Sequence, residues 1–440
     1  MPDKQNLRRI VVTGLGPLSA IGCGRRELWD SILKERLNLK KNDYFVEGEL
    51  WDSFLVHKID DFDINKFKID EAIINELNNW KEGRQDLDLL YALAATKLVI
   101  DDSALTYDKE DNNIGLFLTV EHQGFEPFIE GMIKEALEYL GGNLISGKEP
   151  SKLDIYGHLY SKFVDRGYDL QTFMYLYLLA KAFSIHGYSL FTSNACASGL
   201  FAIEAAAKQI KYGGSSAAIV VAGDDTCTTF KHKWFKERNL YSGDGKIQPF
   251  SKSAKGIVFG DGYSAIILED YEHALKRKAH IYAEYLGGAF SLEGWKVVFP
   301  DIGGTSYQKM IKECLANCSL EAGQVDLINP HGVGIRITDA YEAKAISEVF
   351  KESKPPVTAF KPFVGHNLGG SAILETTILL LALENGIIPP TLNCEDFDQN
   401  YNINLIRKQK KQPLETVMKL SCGFAGYNAA AIFRKFKEIH

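Results

Sequence analysis

One cysteine and two histidines stand out in this 440-residue chain as residues whose settings suit covalent chemistry. Cys196 lies in Tyr188-Ser-Leu-Phe-Thr-Ser-Asn-Ala-Cys196-Ala-Ser-Gly-Leu-Phe-Ala. A short apolar run, Ser189–Thr192, gives way there to small residues, then to Leu200, Ile203, Ala207 and Ile210 at helical spacing. The pattern predicts a sharp strand-to-helix turn, with Cys196 at a helix N-terminus among backbone N–H groups that lack intrahelical partners. The partial positive charge at such an end favours thiolate over thiol, so a nucleophile near neutral pH is expected. His331, in Asn329-Pro-His331-Gly-Val-Gly334, and His366, in Lys361-Pro-Phe-Val-Gly-His366-Asn-Leu-Gly-Gly370, each follow a predicted strand. That end of an α/β sheet is where reactive groups collect. Each histidine has a glycine neighbour, which leaves room for another chain or a ligand. A thiolate that can take an acyl group, with two neutral imidazoles that can polarise a carbonyl, suits acyl transfer.

Positioning these three residues requires two successive sets of strands and helices. Arg9–Gly16, Ile114–Val120, Ala217–Gly223 and Ser264–Glu269 read as strands of the first set, with a mostly apolar helix over Asp86–Asp101 and an amphipathic one around Leu28, Trp29, Ile32 and Leu33. The order restarts near residue 280. Strand His280–Leu286, helix Thr305–Cys318, strand Val325–Asn329 and helix Asp339–Val349 come first. Strand Val357–Phe360, helix Gly370–Glu384 and the strand pair Thr416–Leu420 and Ala429–Phe433 complete it. The expectation is an α/β protein of two pseudo-duplicated halves, 1–275 carrying the cysteine and 276–440 carrying the histidines. Residues 121–187 are less regular and read as helices and loops laid over the first half as a cap or interface. Gly14-Leu15-Gly16 lacks the third glycine and the acidic partner of a dinucleotide fingerprint.

Composition narrows the function classes. A net charge of −7 speaks against general nucleic-acid binding. Seven scattered cysteines show neither metal-ligand spacing nor a disulfide framework, which suits a reducing cytoplasm. The start of the chain carries Asp3, Lys4, Arg8 and Arg9 and no signal-peptide hydrophobic region. Runs such as Phe173–Ala180 and Leu89–Ala95 are too short to span a bilayer, so a protein without a membrane span is expected.

The motifs, taken in order, resemble the β-ketoacyl-acyl carrier protein synthases, condensing enzymes of the thiolase-like superfamily. The matches are Arg9-Ile-Val-Val-Thr-Gly-Leu-Gly, Ser193-Asn-Ala-Cys196-Ala-Ser-Gly, Phe259-Gly-Asp-Gly262, Pro330-His331-Gly-Val-Gly, Asp339-Ala-Tyr-Glu342, Lys361 with Gly365-His366-Asn-Leu-Gly, and Gly423-Phe424-Ala-Gly-Tyr-Asn428. The resemblance implies a layered αβαβα fold and a Cys-His-His set of Cys196, His331 and His366. Lys361 would hold the charge of that site, supported by Asp339 and Glu342, with Glu375 facing Lys361 or His366. Backbone N–H groups of Cys196 and Phe424 would form an oxyanion hole, Phe424 also gating the acyl pocket. Fatty-acid or polyketide chain extension would follow, with no metal or tightly bound cofactor and with the phosphopantetheine arm delivered by an acyl carrier protein. The family works as dimers, so pairing with itself or with a homologous subunit is implied.

Departures from the family pattern are Val333 and Ile335 where threonines bind the pantetheine arm, Cys422 and Tyr427 around the gate, and Gln248 in place of an arginine. The acidic carrier requires a basic surface, and Lys231, Lys233, Lys236 and Arg238 supply four cations within eight residues. Two other readings on the same scaffold are a chain-length partner subunit, which usually lacks the cysteine, and an acyltransferase or cyclase.

Overall fold

In the computed structural model, residues 7–46, 48–80 and 86–437 are described. β-Branched and apolar runs pair into one sheet of twelve strands. In the first half, Ile10–Ser19 lies antiparallel to Gly262–Asp270, and that strand antiparallel to Ala217–Asp224. Ile114–Thr119 and Ser189–Phe191 follow in parallel. The second half repeats the pattern: Ala283–Leu292 and Tyr427–Lys435 are antiparallel, as are Tyr427–Lys435 and Thr416–Gly423. Leu327–Asn329 and Pro356–Val357 then follow in parallel, and Asn404–Leu405 adds an edge. Numbered along the chain, each half orders its main strands first, fifth, fourth, second, third, and the two first strands pair with each other.

The period-2 alternation of the strands explains the layers. Ala218, Val220 and Ala222 point into the same core as Val417, Ala429, Ala431 and Phe433 of the other half. Between them lie the helices Ser198–Lys211 and Ser371–Asn385. The alternate residues Ala217, Ile219 and Val221 face Leu87–Ser103 and Thr172–Phe183. Ile328, Met418 and Ile432 face Thr305–Asn317 and Arg336–Val349. The expected αβαβα layering follows. The run Leu368–Asn385 is long and apolar enough to cross a bilayer, yet 89% of it is buried in this middle layer.

Two parts differ from the sequence reading. The expected strand Val357–Phe360 is only Pro356–Val357, because the chain turns at once into the short helix Lys361–Val364. The antiparallel hairpin Leu39–Val46 with Glu49–His57 has no counterpart in that reading, since Lys40, Lys41, Asn42 and Asp43 hide any apolar alternation. Residues 121–187 form the helices Phe125–Ile145, Lys152–Gly167 and Thr172–Phe183. The first two pack through Tyr139 stacked on His158 at 4.2 Å and Phe128 against Phe163 at 5.6 Å.

Candidate active site

Cys196 sits two residues before the helix Ser198–Lys211, in a turn closed by Ala197 N–H to Asn194 O at 3.3 Å and Ser198 N–H to Ala195 O at 2.9 Å. Ser198 Oγ accepts from Asn194 N–H at 2.7 Å, and Ser421 Oγ donates to Cys196 O at 3.0 Å. Ala195 holds φ at 50° and Ala425, in the facing turn, at 61°. A non-glycine residue in this region is strained by about 1–3 kcal/mol, a cost that clusters at functional sites. The two turns touch. A Cβ on Gly423 would lie 3.0 Å from the Cys196 amide nitrogen, so only glycine lets the Gly423–Phe424 turn approach this closely.

The histidines come from the other half. Their rings meet edge to face with centroids 5.6 Å apart, and His331 and His366 are 4% and 2% exposed. Ser371 Oγ accepts from Asn367 N–H at 2.8 Å, which leaves its own hydrogen for His366 Nδ1, also at 2.8 Å. Lys361 Nζ stands 3.4 Å from His331 Nδ1 and donates to His331 O at 2.6 Å. With both Nδ1 atoms accepting, the proton of each neutral ring stays on Nε2. Burial, then the charge of Lys361, holds both imidazoles well below the usual histidine range, so they are neutral donors. The glycines beside them make room for protein rather than for a ligand: a Cβ on Gly365, at φ 77°, would lie 2.5 Å from Gly260 Cα, and one on Gly332, at φ 49°, 2.7 Å from Ala359 Cβ.

Cys196, His331 and His366 line one small cavity with Phe235, Val297, Val298, Phe299, Val333, Ile335, Cys422 and Phe424. Together with the open space at its mouth it spans about 500 Å³. Phe424 packs on Phe235 and Trp234, each with centroids 5.7 Å away. Val333 and Ile335, at the positions of the family's threonines, both line the cavity, and Thr338 adds a hydroxyl to it. Tyr427 packs at 5.8 Å against Phe201, and Gln248 reaches Ser253 Oγ at 3.5 Å.

The helix end alone would make Cys196 a ready thiolate, but burial overrides it. Cys196 is 5% exposed, and burial pushes its thiol well up, with Glu121 adding to the rise and Lys361 opposing it. Asp339 and Glu342 do not touch Lys361; they grip the backbone of the His331 loop. Glu342 accepts from His331 N–H at 2.7 Å and Gly332 N–H at 2.8 Å, and Asp339 from Val333 N–H at 3.0 Å and Phe250 N–H at 2.8 Å. Burial drives Asp339 up to about 7. Glu375 faces Lys361, at 2.6 Å, rather than His366. Its other oxygen binds Lys419, which also donates to Pro330 O at 3.2 Å and which burial lowers to about 8. Lys419 was not anticipated; a lone lysine in the apolar run Thr416-Val-Met-Lys-Leu420 was the signal that could have found it.

The basic segment is also divided. Lys231 is buried against Asp224 at 3.4 Å and cannot join a docking surface. Lys233 lies 3.6 Å over the Trp51 ring, Lys236 is 3.4 Å from Asp52, and the Arg238 guanidinium lies 3.9 Å over Trp234. Lys236 and Arg238 are exposed. Their helix, Thr229–Glu237, carries Trp234 and Phe235, so these cations lie beside the cavity's aromatic wall.

Comparison with known proteins places this geometry. Residues 7–274 match the family model of the beta-ketoacyl synthase N-terminal domain, and residues 282–395 that of the C-terminal domain. The 3-oxoacyl-[acyl-carrier-protein] synthase 1 of Escherichia coli is 26% identical over 443 residues, covering 98% of this chain and 100% of the relative. Synthase 2 of Vibrio harveyi is 26% identical over 441 residues, covering 98% and 99%. Among solved structures, the ishigamide ketosynthase/chain length factor superposes with a TM-score of 0.82 at 23% identity, covering 98% of this chain and 100% of that one. A type II polyketide ketosynthase solved with its acyl-carrier protein gives 0.78 at 24% identity, covering 98% and 100%. The chain belongs to the beta-ketoacyl synthase family, whose members named here are condensing acyltransferases.

Proposed function

We propose that Cys196 carries the acyl group and that His331 and His366 serve the malonyl half of a decarboxylative condensation. The observation that carries this reading is the convergence of two neutral imidazoles, Nε2–H outward, on the cavity that Cys196 lines. The Cys196 sulfur attacks an acyl thioester; the departing pantetheine sulfur takes the proton that the thiol gives up. Backbone N–H groups of Cys196 and Phe424 hold the oxyanion formed on the way. A malonyl thioester then places its carbonyl oxygen on the two Nε2–H donors. The bond to the carboxylate breaks, CO₂ leaves, and its electron pair forms an enolate that these donors stabilise. The enolate carbon bonds to the acyl carbon on Cys196 and expels the thiolate, which takes a proton from solvent.

No metal or bound organic cofactor enters these steps; the phosphopantetheine arm arrives on an acyl carrier protein, a partner of the kind present in the solved polyketide ketosynthase complex. Lys233, Lys236 and Arg238 are its docking cations. Pairing with a second, homologous chain is supported by exposed Ile133, Leu137, Tyr156, Tyr160 and Phe163 on the cap helices, and light scattering would read it as a dimer. Seven free thiols support a reducing, cytoplasmic setting. The non-catalytic partner reading is not favoured, because Cys196 and both histidines are in place.

Intact-mass spectrometry tests the division of labour. Acyl-carrier protein should add its acyl mass to wild type and not to Cys196→Ala. His331→Ala or His366→Ala should stop CO₂ release from malonyl-carrier protein while Cys196 acylation persists. Equal loss of both half-reactions would mean that the histidines activate Cys196 instead.

A further inference from the structure

Glu121 is a carboxyl to which the steps above give no task. It follows the strand Ile114–Thr119, and Cys196 follows its parallel neighbour Ser189–Phe191, so both stand on one rim of the sheet. Thr192 N–H, donating to Leu118 O at 3.0 Å, ties the two strand ends. On its other side Glu121 donates its N–H to Asp224 Oδ1 at 3.1 Å. Its Cγ lies against Gly369, where a Cβ would come within 3.3 Å, and Gly369 belongs to the segment that carries His366. The carboxyl is thus lodged between the Cys196 rim and the His366 segment. Consistently, after burial it is the largest influence on the Cys196 thiol, which it raises more than Asp224 does.

Glu121 Oε1 is closed to solvent and has no hydrogen-bond partner among the described residues. The same is true of Thr119 Oγ1, His122 Nδ1, Thr192 Oγ1 and Asn367 Oδ1, all on this rim or on the His366 segment. Each buried polar atom left unpaired is a cost to the fold. A core gains nothing from such a group, whereas a site that binds a polar ligand does. Two of the atoms, the Glu121 and Asn367 oxygens, are carbonyl-type acceptors that an aliphatic chain would leave unpaired. Burial, with Asp224 close by, pushes Glu121 up to about 8, which fits a carboxyl waiting for a hydrogen-bonding partner.

We propose that the acyl group accepted by Cys196 bears a hydrogen-bond donor, a hydroxyl or amino group, and that Glu121 selects it. This rests on the reading of Cys196 as the acylated residue. The experiment follows acylation of Cys196 by intact mass with three pantetheine thioesters matched in length: butanoyl, 3-hydroxybutanoyl and 4-aminobutanoyl. Wild type is expected to take a hydroxyl or amino primer at least about tenfold faster than butanoyl, the discrimination that a buried, otherwise unpaired acceptor supplies. Glu121→Ile should shift the ratio toward butanoyl, while Glu121→Gln, which keeps an acceptor oxygen in nearly the same shape, should retain the hydroxyl preference. A wild type that favours butanoyl overturns the proposal without any variant, as does an unchanged ratio in a folded Glu121→Ile. Failure of all three primers to acylate Cys196 overturns the assignment of Cys196 itself, a result distinct from acylation without selectivity.

Discussion

Two buried charged clusters bear on the Cys196 thiol, and they are built in opposite ways. In the second half, one carboxylate serves two cations: Glu375 pairs with Lys361 through one oxygen and with Lys419 through the other, all three side chains closed to solvent. In the first half, one cation serves several carboxylates. Lys231 meets Asp224 and the Asp225 carbonyl, while Asp88 takes N–H groups from Asp225 at 2.6 Å and Gly124 at 3.4 Å, and Glu121 stands by with one oxygen unpaired. The difference shows in the protons. Burial pushes Asp88 up to about 7 and Glu121 up to about 8, and raises Asp224 and Asp225 as well. The cationic cluster is held by ion pairs and fixes the His331 loop, through Lys361 on His331 O and Lys419 on Pro330 O. The acidic one lowers its own charge by keeping protons, which leaves hydrogen-bonding capacity beside the nucleophile.

The largest effect should come from removing the single acid of the paired cluster. Glu375→Ala leaves Lys361 and Lys419 buried together without a counter-ion, and a loss of roughly 3–5 kcal/mol in urea unfolding is expected, with malonyl decarboxylation lost as well. An unchanged midpoint would mean that the two lysines do not depend on Glu375.

A smaller effect separates the clusters by pH. The Glu121 carboxyl keeps its proton to about pH 8 in the fold against about 4.5 when unfolded, so the folded state binds more protons across that window. Stability should therefore fall as pH rises from about 4.5 to about 8, and the part due to Glu121 should vanish in Glu121→Gln. Thermal melts of the two proteins should coincide near pH 4 and separate by pH 8, the variant being the more stable. Curves that stay parallel at every pH would show that Glu121 ionises freely in the fold.

The smallest effect concerns the helix that turns Lys231 inward and Lys236 and Arg238 outward. Reversing Lys236 and Arg238 to Glu should slow acylation by the acidic carrier several-fold and flatten its salt dependence, because exposed charges act mainly on encounter. Acylation by a small pantetheine thioester should be almost unchanged. Equal loss with both donors would place these residues in the cavity wall rather than on the docking surface.

The sequence by itself determined the two successive α/β halves, the nucleophile turn and the two histidine segments, while the αβαβα layering was implied by the family resemblance. Each of the former is a local pattern: apolar, β-branched runs for the strands, small residues before a helical stripe at Cys196, and glycine beside each histidine. For Asp339 and Glu342 the sequence left open which atoms they hold, and the charge run placed Lys231 on a surface where the fold buries it. Where a charged side chain is buried, its partner is chosen by packing between segments far apart in the chain, as with Glu342 and the His331 amide or Lys231 and Asp224. The state of the Cys196 thiol belongs to the same class, since burial is a property of the whole fold and outweighs the helix end next to it. Lys419 sits 44 residues from Glu375, and no spacing rule joins a lysine in an apolar strand to a glutamate in an apolar helix. Only the closure of the second half's sheet over the middle helices brings them together, and with them the burial, and after it the lysine charge, that keeps the two histidines neutral.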